Sequence, residues 1–469
     1  MSAQGNFLAT YRASVCEEDP QPGFVLGTAS RGLTIMVHKI QKVSLSDMII
    51  CLTRVMEWIS PTIVSHQTRT AYIAHNIAKE LGLSLELQYQ LALAGMLHDI
   101  GTFSLKERTY FADYDTDPEL IRIHAELGYQ LLKNFQPFET VAKLIRNHHQ
   151  RWEHGRGFTN NGGTVLLYSQ IILLAGMVDA AICGEREILG QVPEICAAVG
   201  KDAGAVFVPE YVEAFTRIAE REYFWFNLDS TSLNETVIDS LRHFNVELDI
   251  SEMLDLSKVF SHLIDFQCHF TASHSSGVAG TAGALANLYS FSESGCQMMK
   301  VAGYLHDIGK LTIPPKILNK QGKLTAEEFN IIKKHPFWTY RALNNIRGLE
   351  EVNSWASFHH ERIDSRGYPF RYKGPELPLG SRIIAVADVF TALTEDRPYR
   401  KGMNSGDVQN LLQEMVQSRG LDNGVVTMLF NNYQRIDESR LLEQSDSARL
   451  YGKFYDSTKA RRRSGAHEQ

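Results

Sequence analysis

Residues 96–102 read MLHDIGT, and residues 304–310 read YLHDIGK. The shared Leu-His-Asp-Ile-Gly sits inside a larger self-similarity. Ten of the 17 histidines fall into two matching sets: His66, His98, His124, His148 and His149, then His274, His306, His335, His359 and His360. From the lone histidine to the His-Asp pair is 32 residues in both sets, and from the third histidine to the His-His pair is 24 in both. Each set closes on an aspartate in an apolar stretch, Asp179 in LLAGMVDA and Asp388 in IIAVADVF, and the offset stays between 208 and 211. Spacings held this closely imply that the chain contains one domain twice.

Around these residues the apolar pattern is helical. SDMIICLTRVMEWI and SEMLDLSKVFSHLI both place apolar residues at intervals of three and four, the spacing that lines one face of a helix. Ser46-Asp47 and Ser251-Glu252 offer an N-cap followed by an acid in the first turn. TAYIAHNIAKELGL favours helix and stops at Gly82. Few runs alternate with period two. The sequence therefore predicts an all-α protein with two tandem helical bundles, at residues 41–228 and 245–435. An N-terminal extension (1–40), a polar linker (229–244) with the makings of a short helix, and a polar tail (436–469) complete the expected organisation. Residues 1–28 and the tail STKARRRSGAHEQ are expected to be poorly ordered, the tail arginines forming a solvated end.

A chain of 469 residues has room for two or three domains with proper cores. Its net charge of −7 argues against a nucleic-acid coat or a basic membrane-surface protein. The six cysteines are scattered with no CxxC pair, which points to a reducing compartment. The N-terminal MSAQGNFLATYRAS lacks the charged-then-apolar pattern of a signal peptide. The most apolar run, TVLLYSQIILLAGMVDAAIC, carries Gln170 and Asp179, so it is expected to be a buried core helix rather than a membrane span. Cytoplasmic localisation, with neither DNA nor membrane as partner, is the expectation.

Lone histidines usually belong to a core or a surface. Five histidines and two aspartates repeated at fixed spacing imply metal ligation. Imidazole with carboxylate suits zinc, manganese or iron better than calcium or magnesium. Adjacent helical residues point about 100° apart, so an adjacent His-Asp can cap one metal with His while Asp reaches two. Six or seven ligands exceed one tetrahedral site and fit two metals sharing a carboxylate. Such a pair, about 3.5–4 Å apart, suits in-line displacement at phosphorus.

At these residues the chain resembles the HD superfamily of metal phosphohydrolases. Its second copy resembles the HD-GYP branch through HDIGK, FHHERIDSRGYP, RIIAVADVFTAL and DRPYR, over about 180 residues. The resemblance implies two tandem HD-type helical bundles and hydrolysis of a cyclic dinucleotide, cyclic di-GMP or cyclic GMP-AMP, at an iron or manganese centre. It implies that His274, His306, Asp307 and Asp388 hold one metal, that Asp307 bridges, and that His335, His359 and His360 hold the other. Lys310 matches the lysine on the scissile phosphate. Gly367, Tyr368 and Pro369 match the loop that names the branch, and Arg397 and Arg400 match positions that grip the distal phosphate. Members with a third metal carry Glu four residues before the first histidine; Phe270 stands there, so two metals are expected. Ser365 replaces a glycine of the usual loop. The Ser- and Gly-rich CHFTASHSSGVAGTAGALA predicts a looser helix.

The first copy keeps the ligand set His66, His98, Asp99, His124, His148, His149 and Asp179, which implies a further metal there. It lacks the substrate handles: Thr102 replaces the lysine, HHQRWEHGRGFT replaces the HHE…GYP loop, and GEREILG replaces DRPYR. The second copy is therefore expected to be the phosphodiesterase, and the first a regulatory module or a phosphomonoesterase trimming the linear product, with Arg151 and Arg156 beside its site. The alternative is a nucleotide-binding signalling module without turnover. A homodimer is left open, and no helix-turn-helix or receiver pattern supports a DNA-binding regulator.

Overall fold

The computed structural model describes residues 42–59, 61–104, 118–158, 163–242, 244, 246–267, 273–396 and 401–464. Among these the only strands are two of two residues each, β1 (Val43–Ser44) and β2 (Glu247–Leu248), paired antiparallel with Val43 opposite Leu248. The rest of the regular structure is helical, as the 3.6-residue pattern predicts.

The two copies build matching bundles. In the first, the His66 helix (Pro61–Glu80) packs on the helix leading to His98 (Leu85–Leu97) and on the Asp179 helix (Gly163–Ala180). In the second, the His274 helix (His274–Leu288) packs in the same way on the helix leading to His306 (Glu293–Leu305) and on the Asp388 helix (Leu379–Thr394). The Pro61–Glu80 helix is followed by Gly82 at φ +66, which fits the expected stop. The apolar run at 164–183 is a core helix: Ile171, Ile172, Leu174, Ala175 and Val178 are buried, and no helix among the described residues is long and apolar enough to cross a membrane.

The glycine of each His-Asp-Ile-Gly turn has a packing reason. A Cβ at Gly101 would run into the His124 carbonyl, and one at Gly309 into the His335 carbonyl. Each turn thus presses directly on the backbone of the helix that carries the third histidine.

The first helix of each copy crosses to the other copy. Leu45–Ile59 packs on its own Pro61–Glu80 helix and on the turn Ile308–Thr312 and the His335 helix (His335–Leu343) of the second copy, while Ile250–Gln267 packs on its own Glu293–Leu305 helix, on both turns, Ile308–Thr312 and Ile100–Ser104, and on the His124 helix (Pro118–Leu132). The β1–β2 pair joins the N-terminal ends of these two helices, one strand just before each. Ile50 and Cys51 line a cavity of about 370 Å³ together with Ala342 and Ile346 of the other copy.

Three local expectations are corrected. The caps lie two residues upstream of Ser46 and Ser251: Ser44 Oγ accepts from Asp47 N at 3.3 Å, and Asp249 accepts from Ser251 N and Glu252 N at 2.8 and 2.9 Å. Ser46 instead donates to the Leu241 carbonyl at 3.3 Å, tying its helix to the connecting helix Leu233–Arg242. The Gly-rich His274 helix is regular and almost wholly buried, not loose. Its small residues admit a second helix, Tyr433–Ser464, which runs through most of the expected polar tail. A Cβ at Gly280 would lie 2.6 Å from the Ser439 carbonyl oxygen, so this approach requires glycine. Arg440, Gln444 and Ser447 are buried in the contact. Residues 1–28 lie outside the described residues.

Candidate metal centre

In the second copy, three histidines are oriented by the backbone. His306, His335 and His359 donate from Nδ1 to the carbonyls of Gly303, Ile332 and Ala356 at 2.7, 2.7 and 2.6 Å. A carbonyl only accepts, so each Nδ1 carries the proton and each Nε2 lone pair is left for the site. These Nε2 atoms converge. His335 Nε2 lies 3.2 Å from His359 Nε2 and 3.3 Å from Asp307 Oδ1, and His306 Nε2 lies 3.1 Å from Asp307 Oδ2. Three overlapping triads result: His274, His306 and Asp388; His306, Asp307 and His359; and His335, His359 and His360, each with its ligand atoms within 4.8 Å of one another. All seven side chains read from the sequence come together.

The arrangement suits a cation better than a proton network. His306 Nε2 and Asp307 Oδ1 are buried with no hydrogen-bond partner, a state that costs free energy unless something else fills the role. Burial pushes His335 down to about 3 and, with help from the neighbouring His306, His359 down to about 4, so both imidazoles stay neutral and ligand-ready. Burial opposes charge on Asp307, but His306 and the Lys310 ammonium outweigh it and hold the carboxyl well below its usual range.

Sequence reasoning missed Glu395. His274 is buried, which disfavours its charge, yet Glu395 at 3.2 Å from Nδ1 and Asp388 at 3.1 Å from Nε2 outweigh this and push it up to about 10. Glu395 thereby fixes the ring while Nε2 faces the site, where a cation would compete with the proton. The residue sits beside DRPYR, of which only the arginines had been read.

In the first copy, His98 and His148 donate from Nδ1 to Gly95 and Ile145 carbonyls at 2.7 and 2.6 Å. Two triads form, His66 with His98 and Asp99, and His124 with His148 and His149. Asp179 joins neither. It receives Arg69, and His66 turns Nδ1 rather than Nε2 to it at 2.6 Å. Arg69 is another residue the sequence reading passed over. At the offset of 208 its counterpart is Gly277, where a side chain would collide with Thr391 and Gln444.

Two models of the HD domain match the chain, over residues 63–181 and 258–425. This is a tandem HD-domain protein. Among its relatives, the 3'3'-cGAMP-specific phosphodiesterase 1 of Vibrio cholerae is 29% identical over 410 residues, covering 86% of this chain and 94% of that one. The 3'3'-cGAMP-specific phosphodiesterase 3 of the same organism is 30% identical over 302 residues, covering 64% and 65%. A cyclic di-GMP phosphodiesterase of Pseudomonas aeruginosa is 40% identical over 146 residues, covering 31% of this chain and 35% of that one. The fold also matches a crystal structure of a cyclic GMP-AMP specific phosphodiesterase of V. cholerae, with a TM-score of 0.57 at 23% identity over 84% of this chain and 98% of that one.

The two HD domains differ at the rim of the site. In the C-terminal HD domain Lys310 donates from Nζ to the buried Asp307 at 2.5 Å. In the N-terminal HD domain Thr102 turns back onto the Asp99 carbonyl at 2.7 Å. The GYP turn is held by Glu361, which follows the His-His pair and accepts from Phe370 N and Arg371 N at 2.7 and 3.0 Å. Gly367 packs so tightly on His360 and Glu361 that a Cβ would lie 2.6 Å from the His360 carbonyl oxygen. Tyr368 sets its ring 4.8 Å from that of His360, and Pro369 follows through a cis peptide bond. In the N-terminal HD domain Gln150 takes the place of Glu361, and the chain beyond it follows another course: Trp152, Glu153 and His154 donate to the carbonyls of Val206, Ala205 and Gly204. Arg151 is exposed. Arg397, Arg400 and Phe270 lie outside the described residues, as does the Arg156 side chain.

Proposed function

We propose that the C-terminal HD domain hydrolyses a cyclic dinucleotide, cyclic di-GMP or 3',3'-cyclic GMP-AMP, to the linear dinucleotide. The observation that carries this reading is the pair of buried, unpartnered ligand atoms, His306 Nε2 and Asp307 Oδ1, at the centre of seven His and Asp side chains with Lys310 beside them. Relatives named as phosphodiesterases of cyclic dinucleotides support the substrate class.

In this reading His274, His306, Asp307 and Asp388 hold one divalent metal and His335, His359 and His360 the other, with Asp307 shared; iron or manganese suits the donor set. When bound, the metals supply Lewis-acid charge for phosphoryl transfer to water. Lys310 places an ammonium where the scissile phosphate approaches and offsets charge building on its oxygens. Glu395 keeps His274 oriented. Glu361 and Gly367 hold the GYP turn so that Tyr368 can contact the nucleotide, and Arg397 and Arg400 are assigned the distal phosphate by resemblance.

The test is turnover of both cyclic dinucleotides by anaerobically purified protein of measured metal content. The expected result is linear dinucleotide from at least one substrate, with two metals in the C-terminal domain. Full loading without product from either would replace this reading with a nucleotide-binding signalling module.

For the N-terminal HD domain a second reading rests on Arg69. Its contact with Asp179 withdraws one acid from the ligand set, which favours a single metal held by His124, His148 and His149 over a shared pair. Such a domain serves as a regulatory module, or as a phosphomonoesterase on the linear product. Release of phosphate from linear dinucleotide by the Asp307→Ala variant separates the two.

A further inference from the structure

The C-terminal copy departs from the N-terminal one at five positions that together seat the Tyr433–Ser464 helix. On the His274 helix, Gly277, Gly280 and Gly283 stand where, at the offset of 208, the first copy has Arg69, Tyr72 and His75. On the helix leading to His306, Lys300 and Tyr304 stand where it has Ala92 and Met96. A Cβ at Gly277 would lie 2.7 Å from Gln444 Nε2, one at Gly280 3.0 Å from Glu443 Cγ, and one at Gly283 2.8 Å from Lys300 Cγ. The first copy uses the matching face otherwise: Tyr72 stacks on Phe224 at 5.4 Å and accepts from Asn227 at 3.1 Å.

Two sets of hydrogen bonds run from this helix to the neighbours of metal-ligand candidates. Lys300 Nζ and the Tyr304 hydroxyl both donate to Glu443, at 2.6 and 2.7 Å, and Tyr304 stands two residues before His306. Burial opposes charge on Glu443, but Lys300 and the Tyr304 hydroxyl outweigh it and hold the carboxyl below its usual range. Gln444 Nε2 donates to the carbonyl of Ser273, the residue before His274, at 3.3 Å. Gln444 Oε1 in turn accepts from Arg440 at 2.5 Å, and Arg440 donates to Asp437 at 2.8 Å. Arg440 and Gln444 are buried, and a buried polar chain with its members satisfied fixes geometry. Both sets end on the same triad, since His274 and His306 come together with Asp388.

We infer that Glu443 and Gln444 are positioning residues for the metal assigned to His274, His306, Asp307 and Asp388. The C-terminal helix ties together the two helices that bring His274 and His306 to that metal, and so sets its affinity. The inference rests on a metal being held by those ligands, and its test reads metal rather than turnover. The full-length chain is compared with its Tyr304→Phe, Glu443→Ala, Glu443→Gln and Gln444→Glu variants. Arg435→Ala is the control for docking alone, because Arg435 joins the same two helices at Asn287, 2.8 Å away and far along from His274. Mn²⁺ affinity is measured by competition with a chelator, and melting is followed with and without Mn²⁺.

Tyr304→Phe, Glu443→Ala and Gln444→Glu should each weaken one Mn²⁺ by about tenfold, the lower end of what losing a group that orients a ligand costs, while the melting of the metal-free chain holds. Glu443→Gln, whose amide oxygen still accepts from Tyr304, should keep most of the affinity, and Arg435→Ala all of it. The same helix also packs on Pro118–Leu132 of the N-terminal domain, so the weakened metal is identified in an Asp388→Ala background, where the three substitutions should cause no further loss. Unchanged affinity in all three variants, a loss that persists in full without Asp388, or an equal loss in Arg435→Ala would overturn the positioning role. If Asp388→Ala itself leaves metal binding at the wild-type level, the metal assignment and this inference fall together. If the wild type binds its metals but releases no linear dinucleotide, the phosphodiesterase reading falls alone, and the affinities still decide the role of Glu443 and Gln444.

Discussion

The two HD domains share a scaffold and part company at four positions. Lys310, Gly277, Glu361 and Glu395 of the C-terminal domain correspond to Thr102, Arg69, Gln150 and, at the offset of 209, Arg186 of the N-terminal one. Each exchange changes charge or space without touching a histidine. Glu395 steadies His274, whereas Arg186 faces outward and pairs with Glu194 at 2.8 Å. Gly277 has no room for a side chain, because Thr391 and Gln444 pack where its Cβ would stand, whereas Arg69 occupies the matching position and takes Asp179. Gathering histidines is thus the smaller part of making this centre. The surroundings decide which acids remain available and whether a phosphate finds a cation waiting.

The sharpest way to break the comparison is Asp307→Ala. Removing the acid approached by His306, His335 and Lys310 should abolish dinucleotide cleavage and lower metal content. Wild-type turnover in this variant would end the shared-carboxylate assignment. Next comes Lys310→Thr, which writes the N-terminal residue into the C-terminal turn. Metal content should hold while turnover falls by about 10²–10³, the usual cost of losing a preorganised electrostatic donor. A collapse of metal content would make Lys310 structural.

Arg69→Gly performs the reverse exchange in the N-terminal domain. Freed from its guanidinium partner, Asp179 should return to the ligand set, and metal bound per chain, measured by elemental analysis, should rise. An unchanged count would show that Arg69 does not govern ligation. The smallest effect expected is that of Ser365→Gly. Ser365 sits at φ +62, where a Cβ costs about 1 kcal/mol. Glycine there should stabilise the fold by up to that amount in denaturant titration, and a loss of stability would mean that the serine side chain earns its place in the turn.

Much of this was legible in the sequence because duplication makes its own control. A histidine that recurs at the same distance from its neighbours marks itself, and the seven His and Asp side chains that converge in the C-terminal copy were all read this way. The helical class followed from apolar spacing. Other features gave no such signal. Arg69 occurs once and lies outside any motif, so only its placement beside Asp179 gives it meaning. Glu395 borders a motif whose arginines drew the reading. Ser44 and Asp249 cap their helices from two residues upstream because the strands end there, and competing Ser and Asp residues nearby made the choice ambiguous. The docking of Tyr433–Ser464 depends on glycines of the His274 helix that, read alone, weaken a helix rather than seat another. Which bundle the first helix of each copy would cover was also invisible, since an apolar face carries no address.

That last feature has a consequence for taking the molecule apart. Leu45–Ile59 and Ile250–Gln267 each cover the His-Asp turn of the other copy, and Ile250–Gln267 covers that of its own copy as well, so the two halves are stitched together at both sites. A cut in the linker with separation of the halves strips the Ile308–Thr312 turn of Leu45–Ile59 and leaves it Ile250–Gln267 alone. The isolated C-terminal half should therefore hold its His-Asp turn less firmly than the full chain does, and lose more of its metal on dilution.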